Sequence, residues 1–122
     1  MKRILAVDDD PAMVGYYKTL LPEAGYEVMA AMDATAALIL FREFRPDLLI
    51  LDMQLPAGGG GQVFDIARGA GTGVPVIFVT GLPGKAAEFM TSHAGVRVFA
   101  KPVDSNLLLA CVAELLQRGR TA

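Results

Sequence analysis

An unbroken run of four apolar residues, Leu48 to Leu51, leads directly into an acid, Asp52, and Pro56 follows four residues later. A short apolar run without polar alternation is typical of a strand that is buried on both faces, as in a parallel sheet. Asp52 would then lie at the carboxyl end of this strand, where open α/β sheets bind their ligands. A carboxylate in that position loses hydration, so it needs a hydrogen-bonding or cationic partner.

Strand-like apolar segments alternate with helical patterns along the whole chain. Besides Leu48 to Leu51, the predicted strands are Ile4 to Val7, Tyr26 to Ala31, Val74 to Thr80 and Val96 to Ala100. The predicted helices run from Pro11 toward Gly25, from about Ala36 to Phe44, through Val63 to Ala67, through Ala86 to Met90, and from about Asn106 to Gln117. This alternation predicts an α/β fold with one doubly wound parallel sheet and helices on both faces.

Helix ends carry recognisable start and stop residues. The expected N-caps are Asp10, either Asp33 or Thr35, and either Asp104 or Ser105. Gly119 is expected to end the last helix, and residues 118–122 are expected to be a tail or the start of a linker. Because the chain has 122 residues and no internal repeat, residues 1–122 are predicted to form one domain.

Composition excludes several classes of function. Hydrophobic residues make up 53% of the chain, which indicates a folded core rather than disorder. The net charge is -2 with no basic patch, so nothing favours nucleic-acid binding, and no apolar run approaches the roughly 20 residues of a membrane helix. Cys111 is the only cysteine, which excludes an internal disulfide and predicts a core position on the last helix. A cytoplasmic protein is the default expectation.

Polar residues follow the predicted strands at their carboxyl ends. Asp8 and Asp9 follow the first strand, Asp52 the third, Thr80 ends the fourth and Lys101 follows the fifth. Three carboxylates at one edge repel each other unless a cation joins them, and Mg²⁺ suits carboxylates plus a phosphate. A lysine and a hydroxyl beside an exposed aspartate could neutralise a transferring phosphoryl group. The set therefore predicts phosphoryl transfer onto a carboxylate.

Four segments together resemble the receiver domain of response regulators, and the resemblance covers essentially the whole chain. The matching segments are Ile4 to Pro11, Pro46 to Pro56, Pro75 to Thr80, and Lys101 with Pro102. Each segment alone is weak, but all four in this order and at these separations are specific. The resemblance implies a flavodoxin-like (βα)5 fold with the sheet order 2-1-3-4-5.

The resemblance also assigns roles at the acidic edge. Asp52 would be the phosphoacceptor, and Asp8, Asp9, Asp52 and the backbone carbonyl of Gln54 would hold Mg²⁺.

The remaining implied roles concern the phosphoryl group and its donor. Thr80 would bind the phosphoryl group and move when it arrives, and Lys101 would pair with it. The peptide bond between Lys101 and Pro102 would be cis. The donor would be a phosphohistidine on a sensor histidine kinase or on a histidine phosphotransfer protein. The domain would act as a phosphorylation switch in two-component signalling, catalysing only its own phosphorylation and dephosphorylation.

Some positions depart from the family pattern. Val98 stands three residues before the lysine, where an aromatic switch residue is usual, and the neighbouring Phe99 is expected on the opposite face of the strand.

The glycine run from Gly58 to Gly61 is expected to be a flexible loop, and no Gly-Lys-Ser/Thr follows it, so it is not a phosphate-binding loop. His93 is expected to be a surface cation.

The last helix has more apolar residues than one buried stripe requires, among them Leu107, Leu108 and Leu109. We therefore hypothesise that the fourth helix, the fifth strand and the last helix form a surface for self-association or for an effector. Exposed single apolar residues are also ordinary, and that reading stays open.

Two rival functions follow from the same residues. A haloacid-dehalogenase-type phosphatase also uses an aspartate, a threonine and a lysine, but it needs Asp-x-Asp, and Gln54 occupies the second place here. It also places its acid pair last, whereas Asp8 and Asp9 come first. The other rival is a receiver-like interaction module that works without phosphate, which the replacement at Val98 keeps open.

Overall fold

Five parallel strands form one sheet in the order β2-β1-β3-β4-β5. The computed structural model describes residues 1–56, 58–69, 73–89 and 95–120, with only the backbone described for 118–120. The strands are β1 (Arg3–Val7), β2 (Glu27–Ala31), β3 (Leu48–Leu51), β4 (Val76–Thr80) and β5 (Val96–Ala100). The predicted doubly wound α/β fold and its strand order are confirmed.

Helices cover both faces of this sheet. They are α1 (Pro11–Glu23), α2 (Ala34–Phe44), α3 (Gly59–Gly69), α4 (Pro83–Ala86) and α5 (Ser105–Arg120), and a 3₁₀ turn, Ala87–Phe89, continues α4. No helix in the described part of the chain is long and apolar enough to cross a membrane.

The central strand β3 is buried on both faces, as its unbroken apolar run predicts. Leu49 and Leu51 pack into the cluster beneath α2 and α3, whereas Leu48 and Ile50 pack into the cluster beneath α1 and α5. All four side chains are 0% exposed. Burying each contributes about 1.5–3 kcal/mol, so this short strand anchors both layers of the core.

Aspartates begin three of the helices. Asp10 Oδ1 accepts a hydrogen bond from Ala12 N at 3.0 Å, and Asp33 Oδ1 accepts one from Ala36 N at 2.7 Å. Asp104 Oδ1 accepts from Asn106 N at 2.8 Å. Of the two alternatives at each later helix, the aspartate is therefore the cap, since its carboxylate satisfies amides that have no partner within the helix.

The expectation of a flexible glycine loop is wrong for the described residues, because α3 already begins at Gly59. Gly58 and Gly59 have φ values of 136° and 77°, a backbone region that side chains rarely adopt. A Cβ at Gly60 would collide with the carbonyl oxygen of Asp52. These glycines set the turn after β3 and the close approach of α3, and they do not make the segment loose.

The ends of two other helices differ from expectation. The fourth helix is only Pro83–Ala86 before the 3₁₀ turn, and Met90 and His93 lie outside the described residues. The last helix runs through Arg120, so Gly119 does not end it. Cys111 is half-buried and packs against the core of the α1–α5 face, as predicted.

Candidate functional site

Two buried carboxylates meet at the carboxyl edge of the sheet because β1 and β3 are neighbours. Val7 pairs with Leu51, and Asp52 N donates to Val7 O at 3.1 Å, so Asp8 and Asp52 follow adjacent strand ends. Asp8 is 1% exposed and Asp52 is 3% exposed, whereas Asp9 is open to solvent. Carboxylate oxygens of these three residues lie within 4.8 Å of one another.

Lys101 bridges the two buried acids. Its Nζ lies 2.7 Å from Asp52 Oδ2 and 2.9 Å from Asp8 Oδ2. The Lys101 backbone N–H donates to Thr80 O at 3.0 Å, which anchors the residue beside β4. Burial by itself lowers the pKa of Lys101, but the bonds to Asp52 and Asp8 outweigh burial and raise it. The lysine is therefore charged at neutral pH and partly neutralises the acids.

Asp8 is less well satisfied than Asp52. Its Oδ1 accepts from Asp10 N at 2.9 Å, but its buried Oδ2 has only the ion pair with Lys101, without a hydrogen bond of acceptable geometry. Burial raises the pKa of Asp8, and the contact with Lys101 opposes that rise without cancelling it. A buried carboxylate oxygen of this kind has capacity for a further cationic ligand.

Thr80 directs its hydroxyl at Asp52. Thr80 Oγ1 donates to Asp52 Oδ1 at 2.7 Å and accepts from Leu82 N at 3.1 Å, which orients the hydroxyl proton toward the carboxylate. Gln54 N donates to the same Asp52 oxygen at 3.1 Å. Both oxygens of Asp52 are thus engaged, Oδ1 by Thr80 and Gln54 and Oδ2 by Lys101.

The structure brings together the predicted set of Asp8, Asp9, Asp52, Thr80 and Lys101. The Lys101–Pro102 peptide bond is cis. The donor set fits a hard divalent cation such as Mg²⁺, because it offers three carboxylates at one edge and one buried oxygen without a hydrogen bond.

Val98 and Phe99 lie on opposite faces of β5, as strand alternation requires. Val98 is partly buried against the cluster beneath α2 and α3, and Phe99 packs on the α1–α5 side. Neither Val98 nor Phe99 therefore places an aromatic ring on the face of the sheet that α2 and α3 cover.

Three phenylalanines that the sequence did not single out pack on the Val98 face. The Phe89 ring centroid lies 4.7 Å from that of Phe64 and 5.4 Å from that of Phe78. Phe78 precedes Thr80 by two residues on β4, so strand alternation could have placed its ring on the same face of the sheet as the Thr80 side chain. Phe89 comes from the 3₁₀ turn, and nothing in the local pattern indicated where it packs.

Comparison with known proteins identifies the family. The response regulator receiver domain family matches residues 4–113. The chain belongs to this family of receiver domains. This membership sets aside the haloacid-dehalogenase reading.

Several relatives of this receiver domain are known. The DNA-binding response regulator MtrA of Mycolicibacterium smegmatis is 33% identical over 97% of this chain, and the match covers 52% of MtrA. The receiver domain thus spans about half the length of that curated relative. A CheY-like response regulator receiver domain protein from Methanospirillum hungatei has 31% identity and a TM-score of 0.90, covering 99% of this chain and 98% of that one. The receiver domain of the hybrid histidine kinase CckA has 34% identity and a TM-score of 0.80, covering 93% and 98%.

Membership carries general properties of receiver domains in two-component systems. Such domains typically bind Mg²⁺ at an acidic pocket, interact with histidine kinases and are in general not enzymes in the ordinary sense. The aspartate cluster of this receiver domain is a pocket that could hold such an ion.

Proposed function

We propose that this receiver domain accepts a phosphoryl group on Asp52 and acts as a phosphorylation switch. The observation that carries the proposal is the surroundings of Asp52, where the Lys101 ammonium and the Thr80 hydroxyl both lie 2.7 Å from its carboxylate oxygens. A carboxylate with positive and hydrogen-bonding groups arranged around it is suited to nucleophilic phosphoryl transfer.

In the proposed reaction, an oxygen of Asp52 attacks the phosphorus of a phosphohistidine. The new P–O bond forms as the P–N bond breaks, and the electron pair of the P–N bond leaves with the imidazole nitrogen, which takes up a proton from solvent. Lys101 and Thr80 would then contact the oxygens of the phosphoryl group, because they already contact the carboxylate that receives it. The donor would be a sensor histidine kinase or a histidine phosphotransfer protein.

Magnesium has a defined place in the proposal. Asp8, Asp9, Asp52 and the backbone carbonyl of Gln54 would hold Mg²⁺, which would neutralise negative charge on the phosphoryl group during transfer. The acids' proximity within 4.8 Å and the unsatisfied Asp8 Oδ2 support this assignment.

The output surface is also proposed. Leu107 on α5 is 58% exposed, whereas Leu108 on the same helix is fully buried, so α5 presents an apolar side chain outward. Together with α4 and β5, this face would contact an effector or a second copy. Residues 1–122 would form one receiver unit that acts in the cytoplasm, without nucleic-acid or membrane contacts of its own.

A mass measurement tests the proposed phosphorylation. We expect incubation with acetyl phosphate and Mg²⁺ to add one phosphoryl group to the wild type and none to Asp52→Ala. Asp65→Ala, which removes an exposed acid of α3, is the matched control and should gain the group. Omitting Mg²⁺ should prevent the gain. No gain in the wild type, together with no binding of beryllofluoride, would favour the phosphate-independent interaction module instead.

A further inference from the structure

A second concave site lies near the amino ends of β3 and β4, at the opposite end of these strands from Asp52. It is a cleft of about 810 Å³ between the C-terminal halves of α2 and α3. Five apolar residues line it, namely Leu38, Phe41, Pro46, Ile66 and Val74. Its volume and apolar walls fall in the range of sites that hold small molecules, which span roughly 300–1,000 Å³. None of the acidic edge residues takes part in this cleft.

Two arginines line the same cleft. Arg42 lies in the last turn of α2, and Arg45 follows that helix; both are exposed. Neither forms an ion pair with a carboxylate within the described ranges of the chain, and no acid is among the lining residues. The cleft thus combines an apolar wall with two guanidinium groups that have no anionic partner among the residues that the structure describes.

Arg45 ends α2 in the left-handed conformation, which helix ends more often assign to a glycine. Its φ of 54° is left-handed, and it is the one residue other than glycine with a positive φ in the described segments. At the end of α1 the chain places a glycine, Gly25, in the left-handed region instead. A side chain costs free energy in this conformation, and such strain concentrates at functional sites.

We propose that this cleft binds a small amphipathic carboxylate. Its acyl or aryl body would lie on the apolar wall, and its carboxylate would pair with Arg42 and Arg45. Guanidinium groups match carboxylates with two parallel hydrogen bonds and lose less hydration than an ammonium. The C-terminal ends of α2 and α3 carry partial negative charge that opposes an anion, so the two arginines are what make the site selective for one.

Octanoate and 1-octanol are suitable probes because they share a hydrocarbon chain and differ at the head. Amide chemical shifts of the full chain in ¹H–¹⁵N spectra would be followed during titration with each. We expect octanoate to shift the amides of Phe41, Arg45, Ile66 and Val74, and to bind at least about tenfold more tightly than octanol, the equivalent of ~1.4 kcal/mol.

Charge-matched variants test the role of the arginines. The double variant Arg42→Gln/Arg45→Gln should lose the preference for octanoate while still binding octanol weakly. Lys18→Gln/Lys85→Gln removes the same charge from exposed positions outside the cleft and should keep the preference. Ile66→Glu, on an exposed face of α3, should abolish binding of both probes, since it puts a carboxylate in the apolar wall. The dispersion of the amide chemical shifts in the probe-free spectrum of each variant would report an intact fold.

Three results would overturn the proposal. One is equal affinity for octanoate and octanol, and another is octanoate shifts confined to residues outside the cleft. The third is a set of shifts at the cleft that depends on protein concentration without any probe, which would assign the cleft to a second copy of the chain. Because none of these readouts uses acetyl phosphate, failure here is distinct from failure of the proposed phosphorylation.

Discussion

Thr80 Oγ1 and Asp52 Oδ1 are joined by a 2.7 Å hydrogen bond that connects the ends of two neighbouring strands, β4 and β3. The hydroxyl has no spare proton, because it donates to Asp52 while it accepts from Leu82 N. A group added at Asp52 Oδ1 would therefore displace this bond or become its new acceptor. In that event the start of α4 is affected as well, since Leu82 precedes it directly.

Replacing Thr80 with valine removes this bond while keeping the shape of the side chain. Asp52 loses a donor and the Leu82 amide loses its acceptor, so we expect the free energy of unfolding to fall by about 1–2 kcal/mol. Urea denaturation would measure it. Thr80→Ser keeps the hydroxyl and should recover most of the loss. A Thr80→Val variant as stable as the wild type, with Thr80→Ser less stable, would show that the methyl group contributes to stability and the hydrogen bond does not.

Replacing Asp8 with asparagine should stabilise the metal-free protein at neutral pH. Burial raises the pKa of Asp8 above its ordinary 3.8, so the folded state holds the proton more tightly than the unfolded state. The stabilising contribution of the protonated acid is thus complete below pH 3.8 and is lost as the pH rises through the folded pKa. Asparagine carries no such charge, so we expect the variant to be more stable than the wild type at pH 7.

Denaturation at several pH values without divalent ions would test whether Asp8→Asn is more stable than the wild type at neutral pH. The difference between Asp8→Asn and wild type should shrink as the pH falls toward 3.8. Adding Mg²⁺ should stabilise the wild type and have little effect on the variant. A variant less stable than the wild type at every pH would contradict the expected cost of the buried charge.

Replacing Lys101 with methionine should destabilise the metal-free protein. The substitution leaves Asp8 and Asp52 buried without their shared cation, and a loss of about 2–4 kcal/mol is expected, toward the lower part of the buried-pair range because the lysine side chain is 25% exposed. Thermal unfolding would measure it. In the double variant Asp8→Asn/Lys101→Met, part of the loss should return, since one of the two unpaired charges is gone. Strict additivity would show that the two side chains do not interact.

Replacing Gly60 with alanine should destabilise the protein by about 2–4 kcal/mol. The added Cβ meets the carbonyl of Asp52, which is backbone and has little freedom to move away. Gly15→Ala is the matched control, because Gly15 lies inside α1 with open space around it. That change should instead stabilise by up to about 1 kcal/mol, from helix propensity. If both alanines had the same effect, the close approach of α3 would not matter to stability.

Much of the fold could be predicted because the strongest signals were local. The apolar run from Leu48 to Leu51 predicted a central parallel strand. Strand alternation predicted that Val98 and Phe99 lie on opposite faces of β5.

The proximity of Asp8, Asp52, Thr80 and Lys101 could also be predicted once the resemblance to receiver domains implied the strand order, because residues at the carboxyl ends of neighbouring parallel strands meet. Their roles in phosphorylation stay predictions.

Other features could not be read from local pattern. Four consecutive glycines suggest freedom, but the constraint on Gly60 comes from the backbone of Asp52, which is close only in the folded chain. The packing of Phe89 on Phe64 and Phe78 depends on where the 3₁₀ turn after α4 lies in the folded chain. The cleft at Arg45 needs the left-handed end of α2, and arginine gives no sequence signal for that conformation.

The bridge made by Lys101 has a consequence for ion selection. Three carboxylates and one ammonium leave two negative charges at this edge of the sheet. A monovalent ion would leave one of them uncompensated beside Asp8 and Asp52, which are largely shut off from water, and a trivalent ion would leave an excess positive charge. Electroneutrality alone thus favours a divalent ion, independently of ionic radius and ligand geometry.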